Sequence, residues 1–209
     1  VADESILVQR SPEWLLAVCG SLGASRVGSA IAKLKTGARA KSSEDMMYEI
    51  AAERLTRRAR GWENAAKWGA EHEPEARAAY SFLTNESVRE IGLIPHPTIA
   101  NAHASPDGLV GDDGGVELKC PTSATHLRTL VAGAVPEDHL PQLHWSMACS
   151  GRRWWDFVSF DPRFPGDLQM FVRRVQRDDA IIARMEADVR SFLADVEAVL
   201  TAVDDRGAP

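Results

Sequence analysis

Apolar positions along this chain recur first at helical spacing, then at strand spacing, then at helical spacing again. In the first third, Met47, Ile50, Ala51 and Leu55 form one stripe. Ser43-Glu44-Asp45 precedes the stripe and caps it, so a helix is predicted from there to about Arg60. Upstream, Ser11-Pro12-Glu13 is a helix start, with Ser11 as N-cap and Pro12 in the first turn. Gly20 to Gly23 interrupts that helix, and Ser25 opens another through about Leu34. The polar stretch from Lys35 to Ser43 is a loop, and Asn64 caps a fourth helix through about Leu83. Residues 1–10 are a loose or edge segment.

Beyond residue 90 the period shortens. Ile91 to Ile94 and Ile99 to Ala102 are short strands around Pro95 and Pro97. Residues 107–110 and 115–119 pair as a hairpin, with Asp113-Gly114-Gly115 as turn chemistry. A helix from Thr122 to Val131 ends at Gly133, and Asp138 caps another through Ala148. Residues 153–160 and 168–175 alternate as strands. A last helix spans about Asp178 to Val203, with Ile182, Met185, Val189, Phe192, Val196, Val199 and Val203 on one side. Asp204 to Pro209 is a frayed tail. This order predicts one α/β domain over residues 1–209, a central mixed β-sheet flanked by helices.

Composition narrows the classes. A chain of 209 residues with 44% apolar and 26% charged residues suits one soluble domain with its own core. No apolar run approaches the roughly 18 residues that span a bilayer, so no membrane partner is expected. Cys19, Cys120 and Cys149 are far apart and show no C-x-x-C spacing, which argues against zinc or an iron–sulfur cluster. No signal-peptide pattern opens the chain, and reduced cytosolic thiols are expected. Net charge is −6, yet 19 of the 24 basic residues are arginine, the side chain that grips phosphate bidentately. Such a balance confines nucleic acid to one surface rather than excluding it.

The candidate chemistry lies in the hairpin. Pro106-Asp107 is followed ten residues later by Glu117-Leu118-Lys119. Alternation puts Glu117 and Lys119 on one face and Leu118 on the other. Two carboxylates beside one ammonium suit Mg²⁺ and a water aimed at a phosphodiester. A lysine beside a metal is expected to carry a lowered pKa. Glu-x-Lys on an exposed strand is ordinarily only a weak ion pair, and Pro-Asp-Gly a common turn. The two halves together favour the catalytic reading.

The string Ala104-Ser-Pro-Asp-Gly-Leu109, then Gly115-Val-Glu-Leu-Lys-Cys-Pro121, resembles the core of the lambda-type exonucleases, within the PD-(D/E)xK nuclease superfamily. Trp14 with Gly23-Ala-Ser25-Arg26, Trp68-Gly69-Ala-Glu-His-Glu73, Gln142-Leu-His-Trp-Ser-Met147 and Phe160-Asp-Pro162 resemble further blocks of that family, in its order, from about residue 10 to about residue 175. The resemblance implies a restriction-endonuclease-like core of phage origin. It implies Mg²⁺, with Mn²⁺ substituting, held by Asp107, Glu117 and the Leu118 carbonyl. Lys119 then holds or deprotonates the attacking water, Glu73 adds an acid across the metal, and Gln142 contacts water or the scissile phosphate.

The implied reaction is 5′→3′ digestion of one strand of linear duplex DNA to 5′-mononucleotides by a ring-shaped homotrimer. The 3′-tailed product passes to a single-strand annealing recombinase. Ser25, Arg26 and Ser105 are expected at phosphates. The family's arginine for the 5′-phosphate falls on Val18, so Arg26 or Arg10 must replace it. The family's strand-separating wedge falls near Ala66; Trp62 either replaces it by stacking on a base or packs at a helix end. His144 stands where a second glutamine is common, and its role is open. Arg54, Arg57, Arg58 and Arg60 either follow DNA backbone or form a solvated helix face. A structure-selective or restriction-type endonuclease, or a DNA-end-binding module without catalysis, are the rival readings.

Overall fold

Ser11 Oγ accepts the Trp14 N–H at 3.2 Å and Pro12 fills the first turn, so α1 runs Pro12–Val18. The computed structural model describes residues 7–59 and 67–207. Gly20 then turns the chain at φ +68° into β1 (Leu22–Gly23) and α2 (Ala24–Ala30). The N-cap of α2 is Gly23 and the helix is short, so Ser25 lies inside its first turn rather than opening it. Helix α3 (Lys41–Thr56) begins two residues before the expected Ser43. Ser43 is buried instead, its hydroxyl donating to the Ala30 carbonyl. Helix α4 spans Lys67–Thr84, and the expected cap Asn64 lies outside the described residues.

Among the described residues the strands form two sheets. In the smaller, β4 (Ala102–Ala104) lies between β1, parallel to it, and β3 (Ile94–Pro95), antiparallel. The larger has the order β2-β5-β6-β7-β8: β2 (Val88–Arg89), β5 (Gly108–Val110), β6 (Gly114–Lys119), β7 (Trp154–Phe160) and β8 (Met170–Gln176). Only β6 and β7 pair in parallel there; their crossover carries α5 (Ser123–Ala132) and α6 (Leu140–Ser150). The mixed sheet flanked by helices is as expected. Strand β2 was not foreseen, and β4 starts at Ala102, where a strand was expected to end.

The hairpin turn also differs from expectation. It is made at Gly111 to Asp113, with Gly111 at φ +51°. Gly114 and Gly115 are strand residues opposite Trp154 and Trp155. A Cβ on either would lie 2.0 Å from the Trp154 ring or 2.4 Å from the Trp155 ring. The two glycines thus serve side-chain packing across a parallel strand pair rather than turn geometry.

Both faces of the larger sheet are covered. Val110, Val116, Leu118, Val158 and Phe160 pack against Ala76 and Tyr80 of α4. Leu109, Trp155 and Phe157 face the main core, which α2, α3, α6 and α7 (Asp179–Gly207) complete. Asp178 Oδ1 accepts the Ala180 and Ile181 N–H groups at 2.9 Å and so caps α7. Helix α7 continues to Gly207, into the segment from Asp204 that was expected to fray, and its Ile182, Met185, Val189, Phe192 and Val196 are buried. Tyr80 donates to Asp156 Oδ2 at 2.8 Å, and Arg174 grips both Asp156 oxygens, which ties α4 to β7 and β8. No helix among the described residues is long and apolar enough to cross a membrane.

Candidate active site

The β5–β6 ladder ends at Gly108 opposite Val116. Two residues further along β6, the Leu118 N–H points past the end of β5 and needs another acceptor. Asp107, just before β5, supplies it: Oδ2 accepts that N–H at 2.7 Å. A strand residue directs its N–H and C=O to the same side, so the Leu118 carbonyl also faces Asp107. Glu117 lies on the opposite sheet face, toward α6, and is 3% exposed. Its Oε1 accepts from Lys119 Nζ at 2.6 Å and from Gln142 Nε2 at 2.7 Å, and Gln142 Oε1 accepts from the same ammonium at 3.3 Å. Glu117 Oε2 is buried and has no hydrogen-bond partner among the described residues.

These groups line one cavity of about 1030 Å³ together with Glu73, Leu118, Ser25, Arg26 and Ser105. The helical spacing that was expected to bring Trp68 and Glu73 to one side does so, and both line the cavity. Glu73 does not stand alone: Arg77 holds Oε1 at 2.8 Å and Arg10 holds Oε2 at 3.1 Å. Ser105 Oγ accepts the Trp14 indole N–H at 3.2 Å, which leaves its proton for another acceptor. Arg26 donates to both carboxylate oxygens of Glu53 at 3.1 Å, and its Nη2 lies 3.6 Å from Glu49. Nη2 itself has no hydrogen-bond partner among the described residues. Trp62, Ala66 and Arg60 lie outside the described residues.

Electrostatics at the centre favour a cation. Burial, and then the Glu117 charge, push the Asp107 carboxyl well above the usual carboxylate range. Burial works to lower Lys119, but Glu117 and Asp107 outweigh it, so the ammonium stands above its ordinary value. The lowering expected for a lysine beside a metal concerns the loaded site; in this structure the two carboxyl groups facing the lysine raise it. The donor set is two carboxylates and a carbonyl; no cluster of three or more His, Cys, Asp and Glu side chains closes on one point among the described residues. Oxygen donors with room for water fit Mg²⁺ rather than zinc. An unpartnered buried oxygen on Glu117 and a strained like-charge pair are what such an ion would relieve.

Other residues move out of or into the site. His144 is buried, does not line the cavity, and feels Asp178 and Arg177 instead. Arg54 donates to the Gly20 carbonyl at 2.7 Å and pairs with Glu197, so it joins α3 to α7 rather than following DNA. Val18 lines the cavity where a phosphate-binding arginine was sought. Gln9, Arg10, Glu53, His103, His139 and Arg163 line it as well. His139 stands three residues before Gln142, a helical spacing that could have revealed it. Glu53 follows Ile50 by three in the α3 stripe, a carboxylate at a core position. Gln9 carries no local signal.

Comparison with known proteins agrees with this geometry. Residues 13–153 match the YqaJ-like viral recombinase domain. The crystal structure of an alkaline exonuclease (LHK-Exo) from Laribacter hongkongensis has 44% sequence identity and a TM-score of 0.87, over 94% of this chain and 98% of that one. The structure of LHK-Exo in complex with dAMP matches with a TM-score of 0.88 over the same shares. A phage related exonuclease from Haemophilus somnus 129PT shares the fold at 14% identity and a TM-score of 0.67, over 88% of this chain and 96% of that one. No curated protein sequence matches. The resemblance to lambda-type exonucleases is borne out, and the chain belongs to the YqaJ-like viral recombinase family.

Proposed function

We propose that this DNA exonuclease digests one strand of linear duplex DNA from its 5′ end, with Mg²⁺, and releases 5′-mononucleotides. The observation that carries the reading is the meeting of Asp107, Glu117, Lys119 and Gln142 in one cavity, with a buried Glu117 oxygen left unpartnered. The dAMP bound in the related exonuclease is a deoxynucleoside monophosphate, the class of product expected. Asp107, Glu117 and the Leu118 carbonyl would hold the cation. Bound there, Mg²⁺ would supply a Lewis acid that activates water and offsets phosphate charge.

The remaining work falls to side chains. Gln142 fixes Glu117 and Lys119 against each other, since it donates to one and accepts from the other. Lys119, held protonated, offers its ammonium to the charge that develops on the phosphate oxygens. Water oxygen bonds to phosphorus, the bond to the 3′-oxygen breaks, and that oxygen takes up a proton. Ser25, Ser105 and Arg26 line the same cavity, which supports a role for them at phosphates along the strand. Closure of three copies into a ring around DNA, and transfer of the 3′ tail to an annealing recombinase, are part of the proposal and rest on the resemblance alone.

End-labelled linear duplex, incubated with and without Mg²⁺, tests the reading. Labelled mononucleotide should appear from the 5′ end only with the metal, and closed circular DNA should stay intact. Nicking of the circle would mark the enzyme as an endonuclease.

A further inference from the structure

We propose that Gln9 is a positioning residue for the metal-binding carboxylate Asp107. The inference rests on the metal site proposed above. Residues 7–14 cross the chain segments that lead into Asp107 and are fastened there at four places. The Leu7 carbonyl lies where Gly92 has no side chain; a Cβ on Gly92 would be 1.7 Å from that oxygen. Trp14 Nε1 donates to the Gly92 carbonyl at 2.8 Å and to Ser105 Oγ at 3.2 Å. Arg10, in the left-handed region at φ +69°, reaches Glu73. Gln9 Nε2 donates to the Ile91 carbonyl at 3.0 Å and to the Pro106 carbonyl at 2.8 Å.

The Pro106 carbonyl belongs to the peptide that enters Asp107. Holding it fixes the plane of that peptide, and with it the direction in which the Asp107 side chain leaves the backbone. Leu118 N–H fixes the other end, the carboxylate. Asp107 is therefore set between two hydrogen bonds, one of which comes from a residue 98 positions earlier. No strand pairing of residue 107 does this work, since β5 begins at Gly108. Gln9 and Asp107 both line the catalytic cavity and also a second one of about 310 Å³. Without the amide, the Leu118 N–H alone holds the carboxylate in place against Glu117.

Gln9→Met keeps the length and removes the donors. Gln9→Glu also removes them but adds a negative charge that alone would tighten cation binding. Groups that orient a metal ligand are typically worth about 10- to 100-fold in affinity. Mn²⁺ titrated into the DNA-free protein by calorimetry should bind about 10- to 100-fold more weakly to both variants, with thermal melts showing both folded. The Mg²⁺ concentration for half-maximal digestion should rise by a similar factor, while KM for DNA stays near wild type. A loss of packing alone would lower the melting temperature without that split. Mn²⁺ binding to either variant as tight as to wild type overturns the proposal. Absence of Mn²⁺ binding to the wild-type protein overturns the metal site and this inference together.

Discussion

Lys119 touches Glu117 and Gln142, and the role proposed for it is to meet phosphate charge rather than to hold metal. Lys119→Ala should therefore lower kcat by about 10²–10³. Mn²⁺ and DNA binding should remain, as calorimetry and a filter-binding titration would show; near-normal turnover would remove Lys119 from the mechanism. Arg26 presents a finer case. Its charge is already met by Glu53 and Glu49, and only Nη2 is left for a phosphate oxygen. Arg26→Ala should slow 5′-phosphorylated ends about tenfold or more relative to 5′-hydroxyl ends, the loss of one charge-assisted contact. Equal slowing of both ends would reject it. Asp161 can be followed by pH. Hydrogen bonds from Arg163, working against burial, together with one from Ser123, hold its carboxyl down at about 2. A lowered folded-state value stabilises the protein above the ordinary carboxylate range and is lost as pH falls toward 2. The melting-temperature gap between wild type and Asp161→Asn should thus be open at pH 6 and narrow below pH 4, about the unperturbed value.

At the level of elements, most helices and the β5–β6 hairpin were legible in the sequence because each carries a local signal: Ser11 and Pro12, the α3 stripe, Gly133 after α5. What failed was long-range. Gly114-Gly115 resembles a turn in isolation, and only the parallel partner β7 reveals that two indole rings need the space. The catalytic triplet was legible because Asp107, Glu117 and Lys119 are brought together by one hairpin. Gln9, His103 and Glu53 reach the same cavity from distant segments, so no spacing rule could assemble them. Gly115→Ala carries a direct test. Its methyl group would meet the buried Trp155 ring, an overpacking that costs about 1–3 kcal/mol. A urea melt should show that loss, whereas Gly37→Ala, with open space around it, should lack this clash. An unchanged midpoint for Gly115→Ala would mean the two strands can separate cheaply.

For the whole molecule, a net charge of −6 disfavours DNA on the surface at large, while Arg10, Arg26 and Arg163 bring positive charge to the cavity. The proposed ring should sediment at about three times 22.8 kDa; a monomer at working concentration would exclude it. The order of the elements has a consequence of its own during synthesis. The hairpin that carries Asp107, Glu117 and Lys119 is complete by residue 119, but α7 follows only from residue 179. Until α7 leaves the ribosome, the apolar surfaces of α2, α3 and α6 that Ile182, Met185, Val189, Phe192 and Val196 cover lie open. A growing chain therefore carries its catalytic residues before it can hold them in place. The last helix to be made is thus the one that completes the core on which those residues rest.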